Sequence, residues 1–483
     1  MNHLNKICVI SRRVRIPKSF ITKQTVENDL VLKDTRFPDF GTRSDMKCYQ
    51  ELKDNFLVPK PYGIRYIKEN NLPSNTIIPK GDNVSITFKG ELRRAQIPVV
   101  ADAMKSMLEK EGAVLNLFCG FGKTTCANMI SCKLGVKTLI LVHTSALAEQ
   151  WKDRIEQFVE GSSVGMIKQS VFDIEDKTHV IGLMQSISMR DYGRGAFNSF
   201  GLMIVDECHH VCAETLSKCI TVAGTRYRLG LSATPFRKDG FHPFLWFSIG
   251  DIASTVERSN DSQELLVEAV LITEGPSVIH TVYRKGGKKS VNMSRMISDL
   301  CDAPGSENRT KTLAQCIKNK YQEGRHIIVL SGRRNHLVSI SEELDSIGVH
   351  DIGFMVGGQK SSKTKEAELS KVVLATYAFT SEGVDIPSLD TAIFATPRSD
   401  VVQTTGRILR SHPNKKTPLV VDFVDSPYVF SNQFKKRIRY YKTLGGQVSY
   451  LDDEFKETNW GSKPKKKKEV IKEAFGFNVD KIG

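Results

Sequence analysis

Ten short apolar runs alternating with helical segments limit what this chain can become more than any other feature. The first five cover residues 114–118, 137–142, 178–183, 201–205 and 227–231. The second five cover residues 326–330, 351–355, 372–375, 391–394 and 417–421. Runs this apolar suit strands covered on both faces, the condition of a parallel sheet flanked by helices. Five and then five predict two α/β sheets in tandem, with helices over 91–110 and 146–159. A chain of 483 residues is too long for one core. The reading is an accessory domain over 1–90, α/β domains over 91–257 and 258–430, and a basic extension over 431–483. Residues 258–263 read as the link between domains, and the polar stretch 283–308 as a loop or insertion.

Composition excludes several classes. With 40% hydrophobic and 25% charged residues the chain is ordered rather than disordered, and no apolar run reaches the ~20 residues of a membrane span. Ten cysteines lie scattered, as expected for free thiols inside a cell. Cys208, His209, His210 and Cys212 could sketch a zinc site, but no second ligand pair follows at zinc spacing, so they read as packing around a strand end. The net charge of +15 is concentrated at the ends: residues 1–90 carry +7, residues 431–483 carry +6 and the long middle only +2. Basic flanks point to a polyanion, nucleic acid above all. Tyr49, Phe56, Tyr62 and Tyr66 could stack bases, yet they read better as the accessory domain's own core. A helix with interleaved aromatics over 434–442 and the run Pro464 to Lys468, which resembles a nuclear-import signal, add to the basic end.

The chemistry gathers at strand ends. The run from Val114 closes on Cys119, Gly120, Phe121, Gly122, Lys123, Thr124 and Thr125. A strand, a glycine turn and a helix start aim backbone N–H groups at one phosphate, with Lys123 reaching β/γ-phosphates and the Thr124 hydroxyl holding Mg²⁺. The full pattern would place glycine at Leu117. Asp206 and Glu207 end another buried strand, where ligands bind in open α/β sheets; Asp206 suits the metal and Glu207 the proton of an attacking water. Ser232, Ala233 and Thr234 follow a third strand, with hydroxyls able to bond the acids. Gln403, Arg407 and Arg410 fall three or four residues apart, on one predicted helix face, a spacing that suits arginines aimed at a γ-phosphate. Just before them, Ser381 to Asp385 offers a glycine turn and a carboxylate.

These motifs, in this order and spacing, resemble superfamily 2 helicases across residues 91–425. The Asp206-Glu-Cys-His209 spelling, with Leu92, Arg93 and Gln96 and with Glu149, Gln150 and Trp151, resembles the XPB/Rad25 branch, its poxvirus transcript-release relatives and a phage repair branch. The looser glycine loop is ordinary in that family. The resemblance implies two RecA-like domains with ATP and Mg²⁺ between them. It implies that Gln96 contacts adenine and that Thr144, Ser145, Gln185 and Ser186 grip a nucleic-acid backbone. Ser381 and Gly383 would do so, or couple to ATP, in the second domain. Two departures stand out: Arg94 and Ala95 replace a Pro-Tyr pair, and an Arg-Glu-Asp tripeptide is reduced to Arg237, Lys238 and Asp239.

The expectation is an ATP-driven DNA helicase or translocase working inside a cell, in a host's cytoplasm or nucleus or packaged in a virion if viral. RNA polymerase or repair machinery are candidate partners, and a membrane is not. A motor that translocates without unwinding, an RNA helicase, and a nucleic-acid-binding module with a decayed ATPase are the alternatives.

Overall fold

The computed structural model describes residues 7–35, 45–193, 195–237, 239–258, 264–272, 279–283, 289–303, 305–359, 361–381, 386–399, 401–410, 412–413, 415–426 and 428–459. The chain divides into two compact units, Met1–Ser259 with Ser381–Asp385, and Asn260–Thr380 with Ile386–Gly483.

The first unit is built on an eight-stranded sheet. Its order is Val171–Phe172, Val164–Lys168, His179–Leu183, Thr138–Val142, Leu202–Val205, Tyr227–Ser232, Gly112–Leu117 and Ile252–Val256. All pairings are parallel except the antiparallel edge strand Val171–Phe172. The pleat sends alternate side chains to opposite faces, and the core obeys it. Leu139, Leu141, Met203 and Val205 join one apolar cluster, while Ile140, Val142, Leu202 and Ile204 join the other. Helices Gln96–Lys110, Lys123–Leu134 and Ser145–Phe158 bury their apolar stripes on the second face.

One helix starts later than its pattern predicts. The segment read as 91–110 becomes helical only at Gln96, because Gln96 folds back and its Oε1 accepts from the Arg93 N–H at 2.8 Å. That bond closes a separate turn ahead of the helix.

Within the same unit, residues 8–76 contribute a five-stranded mixed sheet and helices Lys23–Leu30 and Lys60–Glu69. Phe56 and Tyr62 are buried there, with Tyr49 and Tyr66 packed against them. Tyr62 donates to Asp29 at 2.7 Å and Tyr66 to the Phe20 carbonyl at 3.0 Å, so these aromatics serve as core. A buried lysine fastens this small sheet to the large one. Lys60 Nζ donates to the carbonyls of Thr225 (3.2 Å) and Arg226 (2.5 Å) and pairs with Glu111 at 3.1 Å. Buried Arg228 adds bonds to the Ser248 and Arg12 carbonyls. Glu111, Thr225 and Arg226 lie where two central strands begin, at the edge away from their C-terminal ends.

The second unit carries a seven-stranded, wholly parallel sheet. Its order is Ile352–Met355, Val372–Thr376, Ile327–Ser331, Thr391–Phe394, Leu419–Asp425, Leu266–Ile272 and Gln447–Leu451. The stretch 283–308 is not simply a loop. It holds the strand Lys289–Val291, paired with Thr281–Tyr283, and the helix Met293–Asp302. Met296, Leu300 and Cys301 bury that helix against Phe430, an apolar stripe easily lost among polar neighbours.

The basic helix Tyr428–Thr443 also turns one face inward. Arg437 is buried and grips Asp422 with two bonds of 2.7 and 2.8 Å, and Tyr441 donates to the same carboxylate at 2.9 Å. Lys435, Lys436, Arg439 and Lys442 are exposed. The Pro464 to Lys468 run lies outside the described residues.

Candidate nucleotide site

The strand Gly112–Leu117 ends in a turn that only glycine fits. Gly120 and Gly122 have φ of 89° and 96°, where side chains are strained. A Cβ on Gly122 would also stand 2.4 Å from Gln96 Nε2. Gln96 Nε2 donates to the Phe121 carbonyl at 2.9 Å, and the Arg93 guanidinium donates to the same oxygen. Gln96, expected to meet adenine, thus sits buried against the turn with both ends of its amide engaged. Arg93 is a brace that composition and spacing alone do not reveal. Helix Lys123–Leu134 begins directly behind Gly122, so Lys123, Thr124 and Thr125 form its first turn.

Sheet order brings the acids beside this turn. Only the strand Tyr227–Ser232 separates Gly112–Leu117 from Leu202–Val205, and neighbouring strands lie roughly 5 Å apart. The lysine side chain spans that gap: Lys123 Nζ is 2.8 Å from Glu207 Oε1. Glu207 holds a left-handed backbone, φ 42° and ψ 53°, which turns its carboxylate back toward the glycine loop. Burial alone would push the Glu207 carboxyl up, but the charge and hydrogen bond of Lys123, with smaller contributions from His209 and His210, together hold it at about 2. Burial and the Glu207 charge push Asp206 the other way, to about 6. Asp206 accepts from the Glu207 N–H at 2.9 Å and from the Trp151 indole at 2.8 Å. A buried carboxylate made costly to ionise is one that a divalent cation would hold charged, so Asp206 and the neighbouring helix start fit Mg²⁺. Trp151, fully buried on helix Ser145–Phe158, is the hidden member of this set.

Behind the acids, a histidine links to the next strand end. His209 Nδ1 lies 3.5 Å from Glu207 Oε2 and 3.0 Å from Ser232 Oγ. Ser232 Oγ also accepts from the Thr234 N–H at 3.0 Å. The Ser232 hydroxyl therefore reaches the acid pair through His209. Arg237 is clamped by buried Asp239 and donates to the His209 carbonyl at 2.8 Å. Cys208, Cys212 and Cys219 are buried and their thiols pushed up by burial.

The remaining expected residues divide by element. Thr144 caps helix Ser145–Phe158, its hydroxyl accepting from the Leu147 N–H at 3.3 Å. Gln185 is exposed on the helix Met184–Met189, and Ser186 Oγ accepts from the Gln169 N–H at 3.1 Å. In the second unit, Gln403 and Arg407 lie on the helix Val402–Ile408. Arg410 falls past its end, not on its face, in a turn where its N–H bonds the Arg407 carbonyl at 3.3 Å. Pro413 shortly beyond cannot extend a helix. Ser381 ends the helix Tyr377–Ser381, and Gly383 lies outside the described residues.

Residues 89–237 match the family model of the type III restriction enzyme, res subunit. A protein of Acanthamoeba polyphaga mimivirus named as an ATP-dependent RNA helicase is 29% identical over 443 residues, covering 90% of this chain and 84% of that protein. A protein of Invertebrate iridescent virus 6 named as a helicase is 27% identical over 389 residues, 76% of this chain and 84% of its own. Together these matches support an ATP-hydrolysing helicase. The helicase shares its fold with two solved structures. Yeast Dbp5 bound to RNA and ADP BeF3 aligns with TM-score 0.51 and 15% identity, over 74% of this chain and 89% of that one. The fragment of an HsdR subunit of a type I restriction enzyme from Vibrio vulnificus aligns with TM-score 0.53 and 15% identity, over 77% and 71%. Two RecA-like α/β domains are common to all three. Among the described residues no helix is long and apolar enough to cross a membrane.

Proposed function

We propose that this helicase is an ATP-driven motor that moves along DNA, with residues 91–257 and 258–430 as its two motor domains. The observation that carries the reading is the Lys123–Glu207–Asp206 constellation, gathered beyond the ends of two strands that flank Tyr227–Ser232. Lys123 and the Gly120–Gly122 turn would hold the β/γ-phosphates, Gln96 would read adenine, and Glu207 would take the proton of the attacking water. Thr124 and Asp206 would hold Mg²⁺, which supplies neutralising charge at the phosphates. Arg407 and Arg410, with Gln403, would stabilise charge on the γ-phosphate during transfer. Thr144, Ser145, Gln185, Ser186, Ser381 and Gly383 would grip the strand backbone, giving little sequence preference, and Ser232 to Thr234 would pass nucleotide state onward.

DNA is favoured by the match to the type III restriction enzyme res-subunit family and by the basic ends. The mimivirus relative's name favours RNA as the second reading. Relatives in large DNA viruses and the Asp206 to His209 spelling support an XPB-like viral branch, acting inside a host cell with transcription or repair machinery. The test is ATPase rate with single-stranded DNA, duplex DNA and RNA, with strand displacement measured in parallel. Stimulation by DNA with unwinding supports the helicase; stimulation without unwinding leaves a translocase. Stimulation by RNA alone replaces DNA as substrate, and no turnover at all sinks the motor.

A further inference from the structure

We propose that His143 is a positioning residue through which the strand-gripping segment acts on Glu207. The proposal rests on the motor reading above.

His143 directly follows the strand Thr138–Val142 and directly precedes Thr144, the cap of the next helix. That strand pairs in parallel with Leu202–Val205, Leu141 opposite Val205. The segments leaving the two strands therefore emerge side by side, one toward Thr144 and Ser145, the other through Asp206 and Glu207 to His210. Their side chains meet in a stack of three imidazoles. The His143 ring centroid is 4.0 Å from that of His210, and His210 is 4.3 Å from His209, the planes tilted by 30° and 34°. His209 closes the chain on Glu207 Oε2 and Ser232.

The stack is held in an unusual way. Both ring nitrogens of His143 are buried and have no hydrogen-bond partner among the described residues. Leaving such groups unsatisfied is unfavourable, so this ring is kept for its contact and not for a bond. A ring pinned by hydrogen bonds would resist movement of its neighbours. A ring held by packing alone follows its backbone, and a gap of even half an ångström forfeits about a quarter of each contact. A shift at Thr144–Ser145 when a strand binds would thus be passed through His143 and His210 to His209, and so to the carboxylate beside Lys123. The three histidines give the nucleic-acid side of the domain a direct mechanical hold on the hydrolytic side.

The experiment compares the full-length chain with His143→Ala and His143→Phe. ATPase is measured with and without a saturating single-stranded DNA oligonucleotide, and with an RNA of the same sequence; oligonucleotide affinity is followed by fluorescence anisotropy. For His143→Ala, basal kcat, KM for ATP and oligonucleotide affinity should stay within about twofold of wild type, while stimulated kcat falls about tenfold toward basal. His143→Phe keeps a ring on His210 and should restore most of the stimulation. His143→Asn, polar and ringless, stands in for alanine if that variant folds poorly. Full stimulation in the ringless variants, a parallel loss of basal and stimulated rates, or failure of phenylalanine to rescue would each overturn the relay. If wild type itself shows no stimulation by either nucleic acid, the motor reading fails first and takes the relay with it; the wild-type control separates the two.

Discussion

Lys123 Nζ lies 2.8 Å from Glu207 Oε1, the two side chains only 13% and 14% exposed. The lysine that should bind phosphate and the acid that should accept a proton thus neutralise each other. Held at about 2 chiefly by this contact, Glu207 is a poor base until the ammonium is drawn elsewhere. A phosphate in the glycine turn would compete for the same lysine, leaving Glu207 more basic when substrate arrives. Glu207→Gln should abolish nucleic-acid-stimulated ATPase; its amide oxygen keeps an acceptor for Lys123 but leaves the ammonium's charge unpaired, so some stability is lost as well. Lys123→Ala should abolish it too, but at a cost of about 3–5 kcal/mol from a stranded buried carboxylate. Steady-state ATPase and chemical denaturation of both variants check this; normal turnover in either would remove the pair from catalysis.

Trp151 holds Asp206 through its indole N–H at 2.8 Å. Trp151→Phe keeps the packing and deletes the donor. The variant should lose about 1–3 kcal/mol of stability and need more Mg²⁺ for half-maximal ATPase, while oligonucleotide affinity is unchanged. A magnesium titration identical to wild type would show that the indole merely fills space.

The helix Tyr428–Thr443 separates two uses of positive charge. Arg437→Ala strands Asp422 in the core and should cost about 3–5 kcal/mol, read as a lowered denaturation midpoint. Replacing exposed Lys435, Lys436 and Arg439 with glutamine should leave the midpoint alone. It should instead weaken oligonucleotide binding and flatten its salt dependence by about 0.7–0.9 log units per lost phosphate contact. An unchanged salt slope would assign those three side chains to solvent.

Acid should unfold the first unit through its buried imidazoles. His179, fully buried and bonded to Ser131 and Thr178, is pushed by burial down to about 4. The unfolded chain takes up that proton from about pH 6.5, the folded one only near 4. Stability from this group is therefore complete above 6.5 and lost as pH falls toward 4. At pH 5 the loss is about 2 kcal/mol, and His179→Gln should remove that share of the drop between pH 7.5 and 5 in denaturant titrations. An equal drop in the variant would exonerate His179.

Most of the fold was legible because both-faces-buried strands announce themselves as apolar runs, and all ten fall on strands of the two sheets. The strands Val164–Lys168, Val171–Phe172, Ile252–Val256, Leu266–Ile272 and Gln447–Leu451 escape that reading, the last because half-exposed edge positions dilute its pattern. The helix Met293–Asp302 was hidden because its apolar stripe is set among serines, aspartates and an arginine. At the site, Lys123, Asp206 and Glu207 were legible since their chemistry depends on residue type next to a strand end. Trp151 and Arg93 act through orientation across 55 and 28 residues of chain, and no local pattern encodes that. Three-and-four spacing alone sets Arg410 on a helix face, but the helix stops at Ile408, ahead of Pro413.

The Lys60 anchor has a mechanical meaning. It joins residues 8–76 to the starting ends of the strands whose finishing ends carry the glycine turn and Ser232. Accessory sheet and phosphate turn thus stand at opposite ends of the same pair of strands. In the proposed motor, residues 8–76 would travel with the phosphate-binding domain and not as a separate body.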